Sequence, residues 1–459
     1  MTPDPVAPQN ETAVPSAIDA ADEPSPPAAT GLGGLRESLS LKRRFNAEVV
    51  WNLASVGILG VSGILMNGVI ARWRGAEALG IFNQVFAIYI MLSQIAVGGV
   101  HLSVLRCLSY HQDDRAKCGE IASAGLLLGF GLSTVVSACA YLLSGSFGAV
   151  LGSPAVATGV VLAAPGLVFF SLNKILLNAL NGLRCMRAFA VLQALRFIFL
   201  LISVVAILAS GRPSHDIALA LTTSELALFV ITATYVRVRA VHLFIASPAS
   251  PWIAEHLSFG MRGFFAGLLS EMNTRVDVLM LGYFTSDAAV GVYSFAAILA
   301  EGFCQIPLVV RRNLDPIIGR AFSENNRERI REAARRVKKI MYVLMAAIAL
   351  AAVGGFPILL WLLGAEAGLG PSWAVFVILM AGIWINSGYR PFLGIFLQGG
   401  RPGAYTLIIF TAVAGNVLLN LLLIPPLGIY GAAAATSIMF VGEAVLIVLF
   451  ARRLFAVAL

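Results

Sequence analysis

The chain has 459 residues, of which 58% are hydrophobic and only 12% charged, with a mean hydropathy of +0.85 and a net charge of +8. A soluble domain would carry about 25% charged residues, so a soluble fold is excluded. The apolar residues fall in blocks of roughly 20 or more, enough for a helix to cross a hydrocarbon core, whereas a β-barrel would show short alternating segments. The fold class is therefore an all-α polytopic membrane protein of about twelve transmembrane helices.

Residues 1–47 read as a disordered cytoplasmic tail. Up to Gly34 they are rich in Pro, Ala and acidic residues without Lys or Arg, a composition that cannot bury a core. The basic start and apolar centre of a signal peptide are missing. Gly31 to Gly34 reads as a linker, because no Lys-Ser or Lys-Thr follows to make a phosphate loop.

Six spans follow within 48–240, near 48–70, 80–104, 119–144, 155–180, 187–210 and 216–236. A cytoplasmic linker is expected over 241–255. Six more spans lie within 256–459, near 256–283, 288–311, 337–363, 372–397, 403–425 and 429–451. With the N-terminus inside, 24 of the 32 Lys and Arg fall in inner segments and 3 in outer loops. The excess positive charge is then a topology signal, and nucleic acid is not an expected partner. Both termini are cytoplasmic and the outer loops are short.

The two sets repeat. Gly80-Ile-Phe82 after span one matches Gly291-Val-Tyr293 after span seven, 211 residues on. Asn181-Gly182 matches Gln398-Gly399, and Thr223-Ser224 in span six matches Thr436-Ser437 in span twelve, 213 residues on. Six is even, so both sets enter the membrane in the same sense, as in parallel repeats that bind substrate between halves.

Charges inside lipid-spanning segments are costly and mark functional sites. The hairpin from Gly260 to Pro316 concentrates them. Arg262, Glu271, Asn273, Arg275 and Asp277 lie on span seven and Glu301 on span eight. Glu271 and Arg275 are four apart and share a helix face, so an internal ion pair is one reading. In the other, Arg275 contacts substrate while Glu271, Asp277 or Glu301 takes up a coupling ion. Lys174 and Arg390, within one residue of equivalence when aligned through their following loops, suit an anion such as pyrophosphate. Pro391 would open the backbone beside Arg390. Arg196 and Arg262 are further basic candidates, with Glu225 and Glu443 as lesser acidic ones. Snorkelling to headgroups is the plain reading for Arg262. Asn416 and Asn420, one turn apart, read as interhelical glue. Gly57, Gly60 and Gly63 predict close helix approach on span one. Ser323 to Lys339 reads as a short charged helix resting on anionic lipid headgroups. The five Cys and five His show no metal-ligand spacing. No nucleophile elbow or nucleotide loop is present, so neither an enzyme nor a cofactor is expected.

Three blocks carry a family resemblance. The first is Ala71-Arg72-Trp73-Arg74-Gly75 with Gly80-Ile-Phe82. The second is Arg275-Val-Asp277-Val-Leu-Met-Leu-Gly282 leading to Val290-Gly291-Val-Tyr293, with Pro316. The third is Asn416-Val-Leu-Leu-Asn420, Ile424-Pro425, Gly428 and Gly431 to Thr436. In this order they resemble the polysaccharide-export and oligosaccharide-flippase branch of the MOP superfamily, the Wzx-like proteins, to which multidrug MATE exporters and the lipid II flippase MurJ are related. The resemblance implies a V-shaped bundle in the cytoplasmic membrane. Its substrate would be a polyprenyl-pyrophosphate-linked oligosaccharide, gripped by cations that map here onto Arg275, Arg390 and Lys174. The implied partners are the lipid-linked glycan, membrane lipids and a glycan polymerase or glycosyltransferases. A MATE-like drug antiporter is the alternative. Two extra helices that some relatives use for a lipid groove are missing, which leaves the path of the lipid tail open.

Overall fold

The computed structural model describes residues 32–241, 243, 250–457 and 459, with side chains from Gly57 onward except at 263, 265, 266, 270, 273 and 367. The chain falls into two units, Met1–Val50 and Trp51–Leu459. Of the tail expected at 1–47, residues 1–31 lie outside the described residues, and the chain is helical from Leu32. Most of the expected linker, 242 and 244–249, also lies outside them.

Among the described residues every regular element is helical. They run α1 (Leu32–Val97), α2 (Val100–Tyr110), α3 (Arg115–Leu142), the short α4 (Ser144–Val150), α5 (Pro154–Gly182), α6 (Met186–Ala209) and α7 (Leu219–Tyr235). After these come α8 (Pro251–Phe284), α9 (Asp287–Ser323), α10 (Arg327–Leu363), the short α11 (Glu366–Leu369), α12 (Ser372–Ser387), α13 (Ile395–Gln398), α14 (Pro402–Leu427) and α15 (Ile429–Phe455). Local sequence sets the starts. The side chains of Asp114, Ser153, Ser286 and Asn326 accept the orphan amides that open α3, α5, α9 and α10. Gly364, at φ 60°, ends α10.

α1 contains two spans. Its helical path breaks at Gly75 (φ 82°, ψ 178°), a conformation open to glycine. Asn83 Nδ2 donates to Asn67 Oδ1 at 3.0 Å, although a straight helix would set residues sixteen apart at about 24 Å. The chain has therefore folded back on itself. Nine helices among the described residues are long and apolar enough to cross a bilayer, or ten counting the bent pair Ser372–Ser387 and Arg390–Gln398 as one. Dividing α1 at Gly75 gives eleven, and counting α8, a 34-residue helix that is not among the nine, gives the expected twelve. The 53° bend in span ten falls where Arg390-Pro391 removes a backbone donor.

The two sets of six meet reciprocally at the Gly75 end. A Cβ on Gly80 would overlap the carbonyl oxygen of Asp287, and a Cβ on Gly291 would overlap that of Ala76. Ala76 and Asp287 are separated by the same 211 positions as Gly80 and Gly291, so the contact is self-complementary, as a two-fold-like relation requires. Asp287 is also held by Gln84 Nε2 at 2.6 Å and Ser153 Oγ at 2.7 Å. From there the second limb of α1 runs antiparallel to α8. Gly282 packs on Gln84, Gly267 faces Gln94, and Gly260 meets the backbone of Gly98 and Gly99. This far end is fastened by Ser103 and the Ile121 carbonyl on the two nitrogens of His256 (2.9 and 3.0 Å), and by an Arg106–Glu255 pair at 2.5 Å.

Two sequence expectations are corrected here. No described atom lies within 4 Å of where side chains on Gly57, Gly60 and Gly63 would begin, so span one makes no close approach there to any described residue. Ser323 to Lys339 is not a separate helix. α9 and α10 each have 37 residues, about 55 Å of helix against a hydrocarbon thickness of about 30 Å. Their ends form the charged hairpin, turning at Asn325 (φ 50°). Arg320, hydrogen-bonded to Glu324 at 2.7 Å, holds that carboxyl below its usual range. The apolar face of the hairpin (Leu314, Ile318, Ile330) packs on Phe392, Phe396 and Phe455.

The reciprocal glycine contact is backbone against backbone, so neither neighbour can rotate away. Gly80→Ala or Gly291→Ala is expected to cost about 1–3 kcal/mol and lower the unfolding midpoint in detergent. Gly57→Ala, facing open space, should leave that midpoint unchanged or higher.

Candidate functional site

In hydrocarbon each buried charge needs a partner. How well each is partnered separates scaffold from site. In the first six spans, Arg196 on α6 pairs with Glu225 on α7, Nε to Oε1 at 2.8 Å and Nη2 to Oε2 at 3.2 Å. Asn173 on α5 donates to Glu225 Oε2 at 2.8 Å and to its backbone carbonyl at 2.9 Å. The guanidinium also lies 4.5 Å from the Phe170 ring centre. The second six spans carry a looser copy. Asn386 Nδ2 donates to Glu443 Oε2 at 2.6 Å, and Arg390 Nη1 stands 3.5 Å from the same oxygen. Asn173 and Asn386 are 213 apart, the offset of Thr223 and Thr436. The arginine comes from span five in one copy and from past the bend of span ten in the other. Counted at this offset Lys174 aligns with Ser387, three residues before Arg390, whereas counted through the following loops it falls within one residue of Arg390.

A cavity of about 200 Å³ opens mainly in the second set, lined by α8, α9, α12, the Arg390 turn, α14 and α15, with Asn83 of α1 reaching it from the first set. It brings together Arg275, Asp277, Glu301, Arg390 and Glu443. Asp277 is buried and fully satisfied. Its Oδ1 accepts from Asn416 and Asn420, each at 2.7 Å, and its Oδ2 from Tyr293 at 2.9 Å and Thr436 at 2.6 Å. The two asparagines thus serve as interhelical glue through a carboxylate. Arg275 does not pair with Glu271 as the four-residue spacing suggested. Its Nη2 lies 3.9 Å from Glu301 and its guanidinium 5.4 Å from the Phe86 ring centre. The Arg275 Nε is buried without a partner. Each guanidinium has five donors, and in both Arg275 and Arg390 the ion pair is long, so donor capacity remains.

The other candidates stand apart from this cavity. Arg196 is committed to Glu225. Lys174 Nζ donates to Gln94 Oε1 at 2.9 Å. Arg262 is exposed and turned back to Ser258. Glu271 is half-buried on α8, with its carbonyl accepting from Thr274. The Asn273 side chain lies outside the described residues. Sequence reasoning missed Asn173 and Asn386, which the repeat offset could have revealed. It also missed the Gln84–Asp287–Ser153 fastening, which has no such signal. Among the described residues no group of three His, Cys, Asp or Glu could hold a metal ion.

Glu225→Ala strands the buried Arg196 and should cost about 3–5 kcal/mol. Glu443→Ala leaves Arg390 facing a cavity and should cost clearly less. Asp277→Ala leaves four donors without an acceptor, about 3 kcal/mol or more in total. Thermal unfolding of the three variants in one detergent gives the ranking.

Residues 46–302 match the family model described as polysaccharide biosynthesis protein, and residues 264–425 match the MatE model. No curated relative matches. Among solved structures, an inward-facing multidrug resistance MATE family transporter of the MOP superfamily is 15% identical, covering 88% of this chain and 97% of its own, with a TM-score of 0.71. The lipid II flippase MurJ in an inward closed conformation is 13% identical over 88% of this chain and 87% of its own, with a TM-score of 0.69. The outward-facing MATE transporter scores 0.56, at 14% identity over 88% and 93%. The first family model spans more than half of the chain, and the multi-pass bundle repeats the architecture of these neighbours: the chain belongs to the polysaccharide biosynthesis protein family and has the fold of MOP-superfamily transporters.

Proposed function

We propose that this protein flips a polyprenyl-pyrophosphate-linked oligosaccharide across the cytoplasmic membrane for surface polysaccharide assembly. The observation that carries the reading is the meeting of Arg275 and Arg390 in one cavity, each with a long ion pair and unused donors. A pyrophosphate offers the acceptor oxygens that two such forks can take. The halves, 48–240 and 256–459, rock about the reciprocal Gly80–Gly291 contact, with both termini cytoplasmic. Glu301 and Glu443, released as the phosphates engage the arginines, and Asp277 in its cage are the carboxylates placed to carry a coupling ion. Lys174, at the Gln94 side of the seam, is a second station for acidic sugar. A glycan polymerase and the pathway's glycosyltransferases are the partners this reading implies.

One observation favours a second reading, a cation-coupled drug antiporter. Three carboxylates share the cavity with the two arginines, and the MatE model covers 264–425. A gene deletion separates the two. Flipping predicts build-up of the lipid-linked intermediate on the inner face and loss of surface polymer. Antiport predicts neither, but a changed drug susceptibility. Arg275→Ala and Arg390→Ala should each lower polymer export at least about tenfold, with expression and membrane insertion unchanged. Full complementation by both variants would return them to a structural role.

A further inference from the structure

The charged cavity offers cations for phosphates, but a lipid-linked substrate also carries a long hydrocarbon tail. A second concavity of about 620 Å³ lies along α8. Its walls are nearly all hydrocarbon, drawn from Met91 and Ile95 of the second limb of α1, Met272, Leu279 and Met280 of α8, and Phe147 of α4.

Three features distinguish it from an ordinary furrow between helices. Met272 and Leu279 lie three residues before and four after Arg275, so wall and cation emerge from one stripe of α8, and Arg275 itself lines the charged cavity. The groove lies over the seam between the two sets of spans, along the stretch that runs from the Gln84–Gly282 contact to the Gln94–Gly267 contact and just past each. The seven-residue α4 closes it on one side, whereas the matching connection in the second set holds only the four-residue α11. A single helix thus offers a cation on its cavity side and an apolar trough alongside, the two chemistries of a prenyl phosphate. The three methionines suit a branched, flexible chain, because their unbranched side chains repack at little cost.

We propose that this groove holds the isoprenoid tail of the substrate, with the phosphate nearest the tail at Arg275. The proposal rests on the flippase reading and supplies the tail path. The tail leaves the cavity across the seam between the second limb of α1 and α8, and the sugar stays among the polar side chains.

Photolabelling tests this. The full chain, in nanodiscs containing phosphatidylglycerol, is irradiated with a polyprenyl phosphate that carries a diazirine on its tail. Label is expected on Met272, Met280 or the α4 segment. It should fall about tenfold with excess unlabelled polyprenyl phosphate and persist when phosphatidylglycerol is raised. Leu279→Trp, which fills the trough, should remove the label. It should also weaken the long-chain substrate while leaving a short-chain pyrophosphoryl glycan bound as before. Equal labelling by a photoreactive phosphatidylglycerol, or competition by it, would overturn the proposal and make the groove a site for bulk lipid. So would label confined to other helices. If Leu279→Trp does not fold, the competition result on the wild-type chain decides alone. Failure of the short-chain glycan to bind wild-type protein would instead overturn the flippase reading, and is scored separately from the labelling.

Discussion

The constraint on which this structure depends is that a charge within the hydrocarbon must be answered by another group of the protein. Asp277 shows the requirement met in full. Four donors from three other helices converge on its two oxygens, and together they tie α8, α9, α14 and α15 into one body. Glu225 shows the same solution in the first set, with Asn173 and Arg196 as the answering groups. Where the answer is incomplete, at Arg275 and Arg390, a cavity has opened beside the charge. Incomplete pairing and empty space at the same place mark a binding site more firmly than either would alone.

The seam between the two sets follows a different rule. Glycines let two backbones approach until hardly more than the peptide planes separate them, the way small residues serve helix packing in membranes. Gly80 and Gly291 accept this reciprocally, and Gly260 and Gly99 accept it at the other end. Polar fastenings sit beside both: Asp287 with Gln84 and Ser153, and His256 with Ser103. Between these ends the seam is apolar: Leu79, Phe82 and Val85 of the second limb of α1 share one buried core with Val278 and Leu281 of α8 and Val290 of α9.

The all-helical multi-pass fold was legible in the sequence, because block length reports it directly, and the 211-residue offset anticipates the reciprocal contact of Gly80 with Asp287 and of Gly291 with Ala76. Arg275, Asp277, Glu301 and Arg390 were found as charges in greasy helices, and the cavity contains all four. What the sequence did not reveal was pairing. Glu271 sits four residues from Arg275, yet the guanidinium reaches across to Glu301 on the next helix. Spacing along a helix shows which residues share a face but not what faces them. Counting likewise depends on where it starts: Lys174 aligns with Arg390 within one residue through the loops that follow, and with Ser387 at the offset of Asn173 and Asn386. Gly57, Gly60 and Gly63 have the pattern of a packing face and no neighbour among the described residues, because a small-residue stripe states what a helix could accommodate rather than what lies against it.

The two Asn–Glu–Arg arrangements differ in how they close, although each has an asparagine on the fourth span of its set holding a carboxylate on the sixth. In the first copy the arginine comes from a neighbouring straight helix, stacks on Phe170 and closes on both carboxylate oxygens. In the second it comes from beyond a proline bend, touches one oxygen at the limit of a hydrogen bond, and keeps more of its side chain exposed, 28% against 14%. A straight helix fixes the guanidinium by the packing of its neighbours. The first arrangement thus closes its ion pair, and the second, beside the bend in span ten, leaves Arg390 with donors free toward the cavity.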